Sequence, residues 1–145
     1  MKDTFYPKLL VALQFGLIAV MIFTAHYILS MVPILLFLLG LGIGIWALTH
    51  NQLGNFNIQP KLKHGCELVT TGIYRWVRHP MYSSVLLIML GVLLSSPTLL
   101  ELLLFLTLVL VLFLKAKREE NLWCRHDETY IEYKNSTKLF IPYIL

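Results

Sequence analysis

The stretch Val32-Pro-Ile-Leu-Leu-Phe-Leu-Leu-Gly-Leu-Gly-Ile-Gly-Ile-Trp-Ala-Leu-Thr-His50 contains no Asp, Glu, Lys or Arg. A helix crossing the hydrocarbon core of a bilayer needs about 20 mostly apolar residues, and this run supplies 19. Without water to satisfy the backbone, such a segment has to close its own hydrogen bonds as a helix. Working outward, a second apolar run precedes it from Lys8 to Met31. Two more follow the polar loop between Asn51 and Pro80, one from Pro80 to Ser96 and one from Thr98 to Leu114. The last two are short, which predicts that they lengthen into the interface, with a tight hairpin at Ser95-Ser96-Pro97 between them. The expected fold is all-α: one polytopic membrane domain over residues 1–145, with four transmembrane helices at about 8–31, 32–50, 80–96 and 98–114.

Composition points the same way. Hydrophobic residues make up 57% of the 145 positions and charged ones 14%, whereas a soluble domain is nearer one half apolar and about one quarter charged. The lysines at positions 2 and 8 resemble the start of a signal peptide, but no small-residue cleavage site follows and the run is too long for a signal core. The first run therefore reads as a retained span.

All twelve basic residues (Lys2, Lys8, Lys61, Lys63, Arg75, Arg78, Lys115, Lys117, Arg118, Arg125, Lys134 and Lys138) lie before the first span, between the second and third, or after the fourth. By the positive-inside rule these segments face the cytoplasm, which predicts an N-in, C-in protein of the inner membrane. Four spans return the chain to its starting side, so count and charge agree. Cys66 and Cys124 fall in polar stretches on that side, where thiols stay reduced. Nothing in the chain suggests a nucleic-acid partner.

Several features could carry chemistry. Gly40-Leu41-Gly42-Ile43-Gly44 looks like a nucleotide-binding glycine loop but sits inside a lipid-spanning run with no strand before it. Small residues four apart fit close helix packing better. Glu101 is the one acid within a span; in the first turn of its helix it is expected to snorkel and to meet the positive helix end. His64, Cys66, Cys124 and His126 form a possible zinc ligand set, but their spacing matches no common zinc pattern, and no metal site is expected.

The segment Gly72-Ile-Tyr-Arg-Trp-Val-Arg-His-Pro-Met-Tyr82 places two arginines, a histidine and three aromatics just before the third span. An interfacial belt explains Trp76 and Arg75. It explains less well a histidine directly before Pro80, a residue suited to the first helical position. His79 then stands at the mouth of a helix N-terminus, suited to an anionic group, with Tyr82 on the first turn. A second polar cluster, Lys115-Ala-Lys-Arg-Glu-Glu-Asn-Leu122, then Asp127 to Tyr133 and Phe140-Ile-Pro142, reads equally well as an amphipathic helix lying on the membrane.

Together the two clusters resemble the isoprenylcysteine carboxyl methyltransferase and phospholipid methyltransferase superfamily of integral membrane enzymes. The resemblance is carried by Leu68-Val69-Thr70-Thr71-Gly72-Ile73-Tyr74, Arg78-His79-Pro80-Met81-Tyr82, Glu119-Glu120, Tyr130, Tyr133 and Pro142. It departs from the pattern at His126-Asp127, where a Phe-Gly is usual. The resemblance implies S-adenosyl-L-methionine as cofactor, in a pocket formed by the cytoplasmic loop and the C-terminal segment. It implies Gln59, Cys66, Glu67, Leu68, Val69, Tyr74, His79, Pro80, Met81, Tyr82 and Glu119 as cofactor contacts. In that setting the carboxylate of the cofactor would meet His79, Glu119 and Gln59 would accept from its hydroxyls and ammonium, and Tyr74 or Tyr82 would face its sulfonium.

The implied reaction is methyl transfer to a lipid or lipid-attached substrate that enters from the bilayer. Lys115 and Arg118 are the candidates for orienting that substrate, and no catalytic residue is assigned. The rival readings are a small four-helix transporter, which needs ionisable groups near the bilayer midplane, and a sterol-reductase-like nicotinamide enzyme, whose relatives have many more spans.

Overall fold

A computed structural model describes residues 5–28, 30–51 and 68–142. Among these it is wholly helical, with five helices and no strand: α1 (Phe5–Thr24), α2 (Met31–His50), α3 (Pro80–Ser95), α4 (Leu99–His126) and α5 (Thr129–Ser136), plus a single 3-10 turn at Gly72–Arg75. Helices α1, α2 and α4 are long and apolar enough to cross a membrane, while α3 is apolar but shorter. At about 1.5 Å per residue, its 16 residues rise ~24 Å, against a hydrocarbon core of ~30 Å.

Two expected boundaries move. The run from Lys8 to Met31 is not one helix: α1 ends at Thr24, and residues 25–28 form a link. Its backbone is drawn to the α3–α4 turn, with His26 N donating to Ser96 Oγ at 3.0 Å and Ile28 N to Ser95 O at 2.9 Å. The expected hairpin at Ser95-Ser96-Pro97 does form, so both turns meet at one end of the bundle.

The second change is larger. The fourth helix does not stop at Leu114 but continues unbroken to His126. The charged cluster from Lys115 to Leu122 is thus the projecting end of a membrane-length helix and not a separate helix lying on the surface. Asp127 stops it, with Oδ1 accepting from Thr129 N at 2.9 Å and from Thr129 Oγ1 at 2.7 Å. This turn occupies the place of the usual Phe-Gly.

The closest packing joins α2 to α3. A methyl group at Gly40 would lie 2.8 Å from Ile88 Cγ1 and 2.9 Å from the Ser84 carbonyl oxygen, and one at Gly44 would lie 2.7 Å from Ser84 Oγ. Ser84 also donates to the Gly40 carbonyl at 2.6 Å. Gly40 and Gly44, four apart, form the packing surface that their setting in the sequence suggested, while Gly42 faces open space. Met21, Met89, Leu108 and Leu112 form the core joining α1, α3 and α4.

Glu101 is only 1% exposed and does not snorkel. Thr24 Oγ1 donates to its Oε1 at 2.5 Å, and Thr98 Oγ1 caps its backbone N–H at 3.2 Å. The carboxylate ties α1 to the start of α4 inside the bundle.

Candidate active site at the start of the third helix

The site grows from Pro80. Proline fixes its own φ and brings no N–H, so it opens α3 without loss. The carbonyl of His79 accepts from Tyr82 N at 3.0 Å and Ser83 N at 3.1 Å. Just upstream, Gly72 turns the chain with φ +60°, and a Cβ there would collide with the His50 ring. Only glycine meets both demands cheaply. The turn beds Ile73 and Tyr74 against Ala47 of α2, fixing where the next residues emerge.

Residues 76–79 then run beside the C-terminal segment. Lys138 N donates to Trp76 O at 3.2 Å, Arg78 N to Lys138 O at 2.8 Å and His79 N to Leu139 O at 3.1 Å. Ser83 Oγ donates to Phe140 O at 2.6 Å, and Leu139 and Phe140 pack on Ala116 of α4. Chain segments some 60 residues apart thus close around the first turn of α3.

The extended α4 supplies the charges. Tyr82 O–H donates to Glu119 Oε1 at 2.6 Å, and His79 Nδ1 lies 3.4 Å from Glu119 Oε2. Glu120 is fully buried and would be untenable alone. It meets Arg78 Nε at 2.6 Å, Lys134 Nζ at 3.4 Å and Lys117 Nζ at 3.6 Å. Arg78 Nη1 also donates to Lys134 O at 2.9 Å and to Thr137 O, a fan of donors that suits guanidinium and not ammonium.

The His79 and Tyr82 rings stack with centroids 5.4 Å apart and planes 5° from parallel, and Lys115 Nζ lies 5.2 Å from the Tyr82 centroid. The Tyr82 ring is therefore already engaged, which counts against its role as a face for a bound sulfonium. Burial pushes the Tyr74 phenol up to about 12, opposed by a hydrogen bond with Asn51 and helped by the charge of Glu119. Its hydroxyl stays neutral at physiological pH. Burial likewise raises Tyr130 and Tyr133, whose hydroxyl donates to Tyr74 O at 2.6 Å.

Of the residues singled out in the sequence, the structure gathers His79, Pro80, Tyr82, Glu119 and Lys115 into one cluster. Tyr74, Val69 and Met81 share the packing around the 3-10 turn. Leu68 lies apart, lining an open groove of ≈ 870 Å³ with Trp123, Asp127, Glu132 and Tyr133 among others. Arg118 faces α1, its guanidinium carbon 5.5 Å from the Tyr6 ring. Gln59, Cys66, Glu67 and His64 lie outside the described residues.

Three participants were not singled out. Arg78 and Glu120 stand in the motif, which by itself assigns them no contact. Gln14, buried in α1, accepts a hydrogen bond from Lys115 Nζ; the signal was available, since it is the one amide in the apolar run from Lys8 to Met31.

Long apolar helices with a cluster of paired charges at one end of their bundle define a membrane protein with a polar site there. Residues 28–126 match the model of the phospholipid methyltransferase family, so the chain belongs to this family of integral membrane methyltransferases. No curated protein matches the chain.

Proposed function

We propose that the protein transfers a methyl group from S-adenosylmethionine to a lipid or lipid-attached acceptor, at the cluster formed by His79, Tyr82 and Glu119. The observation that carries this reading is the Tyr82–Glu119 hydrogen bond with the His79 ring beside both. It unites the two separated motifs of the resemblance within the family-matched residues.

The donor set fits such a cofactor. His79 Nε2 is buried 4.0 Å from Glu120 Oε1 but makes no hydrogen bond among the described residues, which leaves it a donor or acceptor for a ligand. Glu119 offers negative charge to a molecule bearing an ammonium and a sulfonium, while Glu120 is already matched by Arg78, Lys117 and Lys134. S-adenosylmethionine, when bound, supplies a methyl group already activated on sulfur. Glu119 would accept from its ammonium, and His79 would bond its carboxylate. The docked C-terminal segment would exclude water and hold donor and acceptor in line, the main contributions that direct displacement asks of a protein. A carboxylate acceptor would need no base, whereas an amine acceptor would first lose a proton.

In this reading α3 completes a four-span bundle with both termini and the site on the cytoplasmic side, supported by the one-sided basic residues. Lys115 lies one helical turn before Glu119, towards the membrane, where a lipid substrate would arrive. Calorimetry with S-adenosylhomocysteine, and separately with a reduced nicotinamide, tests the reading. Saturable binding of the first and none of the second is expected. No binding of the first removes the main support.

A further inference from the structure

Helix α1 precedes the family-matched residues, yet it reaches the site. Lys115 is only 2% exposed, although it ends an apolar run, where a lysine ordinarily stretches its stem to bring the ammonium to water. Helical side chains lean towards the helix N-terminus, which for α4 means back into the bundle. There Lys115 Nζ donates to Gln14 Oε1, beside the Tyr82 ring whose hydroxyl holds Glu119.

Gln14 is 7% exposed and lies six residues past Lys8, where the span begins, ~9 Å along α1 and so inside a ~30 Å core. An amide at this depth is costly without a partner, and so is an ammonium. The bond between them offsets part of each cost, and it keeps the cation inside the bundle beside the site.

We propose that Gln14 is a positioning residue. It holds the Lys115 ammonium inward, where the charge attracts an anionic group, carboxylate or phosphate, carried by the lipid substrate beside its methyl acceptor. This rests on the function proposed above, but its test is separable from that of donor binding.

The test uses the full chain in nanodiscs, comparing the unaltered protein with Gln14→Leu and with Gln14→Glu, which retains an acceptor oxygen at the same reach. Three quantities are read: labelling of Lys115 by a water-soluble amine reagent, referred to the half-exposed Lys117 in peptide mass spectra; affinity for short-chain phosphatidic acid and, separately, for decanoate; and affinity for S-adenosylhomocysteine. In Gln14→Leu, Lys115 labelling should rise and affinity for at least one anionic lipid should fall, each roughly ten-fold, the lower end expected when a hydrogen bond to a charged group is lost. S-adenosylhomocysteine affinity and thermal stability should hold, and Gln14→Glu should keep Lys115 protected. The phosphatidic acid and decanoate arms identify which anion is preferred. Unchanged labelling in Gln14→Leu overturns the proposal, as do unchanged affinities for both anions or a loss of anion affinity matched by general unfolding. Absence of S-adenosylhomocysteine binding in all three proteins would sink the methyl-donor reading while leaving the labelling and anion results to decide this one.

Discussion

Arg78 Nε lies 2.6 Å from Glu120 Oε1, and the same guanidinium also holds carbonyls at Lys134 and Thr137. One side chain therefore ties the start of α3, the projecting end of α4 and the C-terminal segment together. Arg78→Ala leaves a buried carboxylate with only the more distant Lys117, Lys134 and His79 and should cost about 3 kcal/mol. Thermal unfolding should shift down, and limited proteolysis should open the chain near Thr137. Arg78→Lys should recover only part of the loss, because an ammonium cannot reproduce the fork. A wild-type cleavage pattern in Arg78→Ala would refute this role.

His79→Ala should weaken S-adenosylhomocysteine binding about ten- to hundred-fold, the loss expected for a hydrogen bond to a charged group, while the fold persists. Tyr82→Phe removes the bond to Glu119 and should weaken binding by a similar order. His64→Ala, outside the motif, serves as the control. Equal binding losses in the His64 and His79 variants would argue against a cofactor site here.

Gly40→Ala should destabilise the α2–α3 pair by about 1–3 kcal/mol, as overpacking does, because its methyl group meets Ile88 and the Ser84 carbonyl. Gly42→Ala, with nothing within 4 Å of the added carbon, should leave thermal unfolding in detergent almost unchanged. The contrast between neighbouring glycines is the measurement.

These contrasts mark what hydropathy and motif could and could not reveal. The third helix and its hairpin were legible because Pro80 and Ser95-Ser96-Pro97 are local signals. The extension of α4 was not, because the charges from Lys115 end the apolar run. Lys, Ala, Arg and Glu are nonetheless strong helix formers, so the helix outlasts its hydrophobicity. The break after Thr24 was hidden for the opposite reason: residues 25–31 remain mostly apolar, and contacts with Ser95 and Ser96 end the helix there. The motif brought His79, Tyr82 and Glu119 to attention. The bonds from Arg78 to residues 42 to 59 positions away depend on tertiary closure that spacing does not encode.

Alkaline titration gives a further test. The Tyr74 phenol has its folded value raised to about 12, above an ordinary value of about 10. The folded chain therefore holds more protons between these values, and stability falls as pH rises. The contribution is fully present below pH ~10 and is lost on passing through about 12. Tyrosinate absorbance should show Tyr74 ionising late, and Tyr74→Phe should remove part of the alkaline slope of unfolding.

Orientation can be measured directly. If the basic segments face the cytoplasm, an impermeant thiol reagent applied outside intact cells should label Pro97→Cys, exposed in the α3–α4 turn, and miss native Cys124. The reverse pattern would overturn the proposed topology.

The docking of residues 138–140 against 76–83 also fixes an order of events during synthesis. The apolar helices are complete once the ribosome has passed residue 114, but His79 N then lacks Leu139 O and Ser83 Oγ lacks Phe140 O. Insertion into the bilayer can run ahead, while closure of the site waits until residues 138–140 have emerged. A nascent polypeptide stalled before them would be embedded in the membrane with the cluster at the start of α3 still unassembled.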